Sequence, residues 1–319
     1  DRQWMQVEKR IGRDMEEEHI NPELYDEMDS WTFPLHFIDF ETSMVAIPFT
    51  AGRRPYEQTA FQFSCHSLHE DGRMDHCEWI SGEPGVFPNY DFTLALKEAL
   101  EKDEGTIFRY SNHENTVMRQ IYRQIVNDGE IAAFADKGLK KEEVLDWIDS
   151  ITNWKVEALG GKMSRVFGER NMVDLWKCVK NYYYHPLMRG SNSIKQVLPT
   201  VMNVSDFLRD KYSNPLDFGL NLKGRILWDV DEAGIAKDPY KLLEPIHDDF
   251  ELDELYLERG EIQDGGAAMV AYAKMQFTKM SETERKNIIK ALLRYCEMDT
   301  LAMVMIYEHW LSCRTNNNY

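Results

Sequence analysis

An α/β layer architecture is predicted for this chain, and three observations predict it. Strand-patterned runs recur at 35–41, 60–68, 75–80 and 106–110, stretches of helical spacing alternate with them, and the chain closes on one long helical run from 281. A mixed β-sheet with helices on both faces, plus helical and irregular insertions, is the arrangement this order favours. The 319 residues are 43% hydrophobic and 12% aromatic, enough to bury a substantial core in one large domain or two smaller ones.

Residues 1–30 are charged and helix-prone and read as a helical lead-in or linker. The first strand is expected at 35–41, inside a domain running from 31 to 313. The loop 46–58 holds Pro48, Gly52 and Pro55, which forbid regular structure, and it presents Arg53, Arg54 and Tyr56 as candidate phosphate or base contacts. FQFSCHSL alternates large apolar and polar residues, and with DHCEWI beyond the turn at Asp71 and Gly72 it predicts a hairpin. Helix is expected at 91–102 and 114–126, and over most of 136–160. MVDLW at 172–176 reads as a strand end running into a helix that carries Tyr182, Tyr183 and Tyr184. A glycine-marked turn is expected over 185–199, and 204–266, irregular and acidic, reads as a surface insertion. SETE at 281–284 is a capping-box pattern, and Ile288, Leu292, Leu293 and Cys296 follow at helical intervals, so a long helix should end near Cys313, leaving a tail at 314–319.

The formal net charge is −18. An anionic polymer would therefore have to be met by a local basic patch or by bound metal rather than by the overall field. Five cysteines, none in a CxxC arrangement, indicate neither a zinc knuckle nor a disulfide framework, and a reducing cytoplasmic setting follows as the expectation. No apolar run approaches the roughly 20 residues of a bilayer span, so no membrane partner is expected. The first residue is Asp, which suggests a fragment of a longer protein with a further domain upstream.

The chemistry concentrates at two places. FIDFET at 37–42 puts Asp39 and Glu41 on one face of a strand, among apolar neighbours, where two negative charges require a cation or a proton. YCEMDT at 295–300 puts Tyr295 and Asp299 one helical turn apart, so a phenol and a carboxylate face the same space.

An N-terminal strand D-x-E with a C-terminal helical Y-x-x-x-D resembles the tyrosine-bearing branch of the DEDD 3′–5′ exonuclease superfamily, which has a ribonuclease H-like fold. The histidine-bearing branch would place a His where this chain has Arg294. FIDFET, RPYEQ, FQFS, VDL, GSNSIKQVLP and YCEMDTLAM also resemble an uncharacterised bacterial family of that class, and the likeness covers roughly residues 30–312. The resemblance implies hydrolysis of phosphodiester bonds from a 3′ end of DNA or RNA, two Mg²⁺ or Mn²⁺ ions held by four carboxylates, and a single-stranded nucleic-acid end as partner. Asp39, Glu41 and Asp299 match its motifs, and Tyr295 would position the attacking water.

The fourth carboxylate departs from the pattern. In RYSNHEN at 109–115, Glu114 follows a strand at the expected place, with His113 where an aromatic is usual. Asp174 in MVDLW is the competing acid; motif order favours Glu114 as the ligand, with Asp174 lining the site and contacting the second ion or its water. Lys195, Arg54 and His113 are the candidate substrate contacts, with His185 a further one, while Tyr182–Tyr184 could stack on bases or belong to the core. Cys178 and Cys296 read as packing residues. Two rival readings keep the fold but change the role: a nucleic-acid-binding or scaffold module that has lost catalysis, and the nuclease half of a larger protein.

Overall fold

The computed structural model describes residues 18–157, 161–243 and 265–316. In chain order the elements are β1 (His19–Ile20), α1 (Glu23–Asp29), β2 (Leu35–Ser43), β3 (Thr59–Leu68), β4 (Met74–Ile80), α2 (Asn89–Leu100), β5 (Ile107–Arg109) and α3 (His113–Asn127). They continue with α4 (Ala132–Asp136), α5 (Lys141–Ile151), β6 (Asn153–Glu157), β7 (Met163–Phe167), β8 (Val173–Asp174), α6 (Leu175–Tyr182) and β9 (Tyr183–Tyr184). The last four are α7 (Ile194–Val204), α8 (Asp206–Tyr212), α9 (Gly265–Phe277) and α10 (Glu282–Asn316). No helix among the described residues is long and apolar enough to cross a membrane.

A five-stranded mixed sheet in the order β4-β3-β2-β5-β8 is the centre of the fold. β2 occupies the middle, antiparallel to β3 and parallel to β5, and its side chains enter two different cores, so both of its faces are covered. Alternation along β2 sends Ile38 and Phe40 into a core shared with Phe92, Val117, Ile121 and Ile148 of α2, α3 and α5. Leu35 and Phe37 go to the opposite core, with Val197 and Val201 of α7 and Met298, Leu301 and Met305 of α10. Between Glu41 and Thr42 the pairing with β3 skips Phe61, a β-bulge whose extra ring stacks on Tyr272 of α9 with centroids 3.9 Å apart.

Several expectations are corrected. Over 136–157 helix is the commonest state, but α5 stops at Ile151, and Asn153–Glu157 pairs with Met163–Phe167 as a hairpin, in keeping with its Trp and Val. The run 185–199 is only partly a turn, because Ile194 opens α7, which holds Pro199 inside it. Tyr183 and Tyr184 leave the helix for β9, are buried, and pair with β1. They are core, not a stacking platform.

The lead-in is tied down: β1 pairs with β9, and Glu18 accepts from His309 at 2.7 Å, while residues 1–17 lie outside the described residues. The stretch called a surface insertion contributes Tyr212, Leu216, Leu222 and Leu227 to the core; its acidic run at 247–261 lies outside the described residues. Finally, α10 continues past Cys313 to Asn316, held by Arg314 on Asp29 at 2.6 and 2.8 Å.

Candidate metal centre

Strand alternation gives Asp39 and Glu41 the face of β2 that α10 crosses. Their cross-strand partners Ser64 and Gln62 fix the helix there: Gln62 Nε2 donates to the Leu292 carbonyl at 2.9 Å, and Ser64 and Thr300 hydroxyls lie 2.8 Å apart. Asp299 is thereby brought over the strand. One carboxylate oxygen from each of Asp39, Glu41 and Asp299 lies within 4.8 Å of the other two. Residues 257 positions apart also meet directly, as the Cys296 thiol donates to Asp39 Oδ2 at 3.4 Å.

These acids open on a cavity of about 470 Å³ whose wall includes Tyr295, Lys195, His113, Thr42 and Tyr110. Lys195 Nζ stands 5.2 Å from the centre of the Tyr295 ring and 5.6 Å from that of Tyr240. His113 Nε2 is 3.2 Å from Thr42 Oγ1. The Tyr240 hydroxyl donates to Asp299 Oδ1.

Concentrated negative charge in a buried place raises proton affinity. Burial, then the charges of Asp299, Glu41 and Glu114, push the Asp39 carboxyl well above its ordinary range. Burial takes Asp299 up to about 6, against the opposing effects of the Tyr240 hydrogen bond and the Lys195 charge. Burial also leaves His113 less basic than usual. A divalent cation would relieve the same crowding as protons do, and all-oxygen donors suit Mg²⁺ or Mn²⁺.

Glu114 and Asp174 are in contrasting states. Glu114, in the first turn of α3, is 2% exposed, burial pushes it up to about 8, and its Oε2 has no hydrogen-bond partner. Its charge acts on Asp39, although it lies outside the three-carboxylate cluster. Asp174 is already satisfied: Arg109 lies at 3.2 Å, Lys177 at 3.8 Å, and the Ser111 amide donates at 3.0 Å. That set holds the turn between β5 and α3, which positions Glu114. Neither Glu114 nor Asp174 is on the cavity wall.

The loop candidates lie elsewhere. Arg54 is exposed, its amide donating to Glu57 at 2.9 Å, and it is absent from the cavity wall. Arg53 is a structural clamp, bonded to Asp128 at 2.6 Å and Tyr90 at 3.0 Å. Tyr56 is exposed with φ at 58°, and His185 is buried, accepting from the Leu187 amide at 3.1 Å. Two neighbours were missed in the sequence. Tyr240 sits in the stretch read as an insertion, where Asp238-Pro239 signals an ordered turn but nothing signals the site. Cys296 was read as packing, and it is buried, but it also donates to Asp39.

What fold and site define together is a mixed α/β domain with a carboxylate cluster between its central strand and its last helix. Residues 36–193 are similar to a family model described as a domain of unknown function (DUF2779), a span that includes Asp39, Glu41, Glu114 and Asp174 and stops before Tyr295 and Asp299. No curated protein and no solved structure matches the chain.

Proposed function

We propose that the chain is a metal-dependent 3′–5′ exonuclease of the tyrosine-type DEDD class, with a ribonuclease H-like fold, acting on a single-stranded end of DNA or RNA. One observation carries the reading: the Asp39, Glu41 and Asp299 carboxylates come within 4.8 Å of one another beside Tyr295 on a shared cavity. The sheet with helices on both faces, and the meeting of its central strand with α10, support the same reading.

Asp39, Glu41 and Asp299 would hold Mg²⁺ or Mn²⁺, with Glu114 as fourth carboxylate because its orphaned buried oxygen needs a partner. Bound there, a pair of such ions would acidify water and neutralise charge on the phosphate. The chain's own groups have separate tasks. Tyr295 orients water by hydrogen bonding. Lys195 supplies a positive charge to a phosphate in an otherwise acidic cavity, and neutral His113 with Thr42 offers hydrogen bonds to the substrate.

The test is shortening of 5′-labelled DNA and RNA oligonucleotides with Mn²⁺. Stepwise loss from the 3′ end that vanishes in Asp39→Asn is expected, whereas no shortening of either polymer, or shortening that persists in the variant, refutes the proposal. A module that keeps the fold without catalysis is the second reading, favoured by the Cys296 and Tyr240 hydrogen bonds that already serve the carboxylates. It requires no carboxylate-dependent Mn²⁺ uptake in a calorimetric titration.

A further inference from the structure

On the other flank of α10 the sheet assembles a second cluster of different chemistry. β3 and β4 set His66 directly opposite His76, with ring centres 4.5 Å apart. Glu297 of α10 reaches the same place, its Oε2 lying 3.9 Å from His76 Nδ1. One donor atom from each of the three residues lies within 4.8 Å of the others. The side chains are sealed from solvent, His66 at 0%, His76 at 1% and Glu297 at 0% exposure.

Hydrogen bonding decides which nitrogens are bare. Thr300 Oγ1 lies 3.0 Å from the Glu297 carbonyl, which can only accept, so the single hydroxyl proton of Thr300 points there. Ser64 Oγ and His66 Nδ1, each 2.8 Å from Thr300 Oγ1, must then donate to it. With its proton so placed, Ser64 accepts from His76 Nε2 at 2.8 Å. All four contacts are hydrogen bonds at once only in this assignment. Burial disfavours protonation of either ring, and on the neutral imidazoles this assignment leaves lone pairs on His66 Nε2 and His76 Nδ1, neither of which has a hydrogen-bond partner.

Glu297 is held as firmly. Its carboxylate accepts from the Leu220 amide at 3.0 Å, the Asn221 amide at 2.7 Å and Asn221 Nδ2 at 2.8 Å. Gly219, with φ at +86°, makes this approach: a Cβ there would stand 2.3 Å from Glu297 Oε1. His66 Nδ1 and His76 Nε2 are thus oriented by the protein as in metal-ligating histidines, while Glu297 is fixed through both oxygens, Oε1 by the Leu220 amide and Oε2, the one facing His76, by Asn221.

We infer that His66 Nε2, His76 Nδ1 and Glu297 form a transition-metal site, distinct from the all-oxygen cluster, whose mixed imidazole and carboxylate donors suit Zn²⁺. An ion there ties β3 and β4 to the helix that carries Tyr295 and Asp299. Its role is structural and does not depend on nuclease activity.

The experiment uses the full chain bearing Asp39→Asn, Asp299→Asn and Cys313→Ser, so that both the carboxylate cluster and the group formed by Glu18, His309 and Cys313 are disabled, stripped with a chelator and titrated with Zn²⁺. Uptake of about one zinc per chain, imidazole scattering in X-ray absorption and a raised melting temperature are expected. His66→Gln should abolish all three, and Glu297→Gln should weaken uptake by roughly tenfold or more. No zinc uptake by the chain with both histidines intact overturns the inference, as does undiminished uptake by His66→Gln. Should His66→Gln fail to fold, the absorption spectrum of the histidine-intact chain decides alone, and scattering without imidazole refutes the site.

Discussion

Tyr240 donates its hydroxyl to Asp299 across 59 residues of chain, so a side chain from an irregular stretch tunes an acid of the candidate metal centre. The bond favours the ionised carboxylate, while burial opposes it. Tyr240→Phe should therefore move Asp299 further above 6 and weaken Mn²⁺ binding near neutral pH by about tenfold. Calorimetric titrations at two pH values check this, because the deficit should shrink as the medium becomes alkaline enough to ionise Asp299 unaided.

Tyr295 lines the cavity but is not in the carboxylate cluster. Tyr295→Phe should accordingly leave Mn²⁺ uptake nearly unchanged and lower the turnover of a labelled oligonucleotide by about a hundredfold. Equal losses in uptake and turnover would show that the phenol supports the ions instead of the water.

Glu114 and Asp174 should separate cleanly under substitution. Burial holds Glu114 near 8, so Glu114→Gln mimics the form present in metal-free protein at neutral pH and should change its stability little while weakening metal uptake. Asp174→Asn strands the Arg109 guanidinium, 1% exposed, without its carboxylate, and should cost about 3 kcal/mol in urea unfolding. The reverse ranking would make Asp174 the ligand.

Proton linkage supplies a fourth test. Burial and neighbouring acids raise Asp39, and burial raises Asp299 to about 6 and Glu114 to about 8, so the folded state keeps protons that the unfolded chain has released. Their contribution to stability is fully present below the ordinary carboxylate range, about pH 4. It is lost as pH rises through about 6 and then about 8. The urea midpoint of chelator-treated protein should fall over that window, and Mn²⁺ should restore it at the alkaline end; a midpoint that rises with pH would contradict the shifts.

Much of the fold was legible because period and punctuation are local. FIDFET alternates cleanly, and the structure extends that strand only to Ser43; the hairpin turn at Asp71 and Gly72 and the capping Ser281, whose hydroxyl accepts from the Glu284 amide at 3.1 Å, were visible as residues. Where local signals conflict with tertiary packing they misled. The glycine-marked turn after His185 concealed the start of α7, and the acidic, irregular composition after residue 204 concealed Tyr212, Leu216 and Leu222, which are buried in the same core as the α10 residues.

The sequence by itself determined which acids share a face, since strand and helix periods place Asp39 with Glu41, and Tyr295 with Asp299. Only the tertiary structure decided that these pairs meet, because β3, bonded to β2 along one edge, holds α10 through Gln62 and Ser64. It also decided which remaining acid is unsatisfied. Arg109 and the Ser111 amide claim Asp174, whereas Glu114 Oε2 is left buried and without a partner, a difference set by neighbours far apart in the chain and therefore carried by no motif.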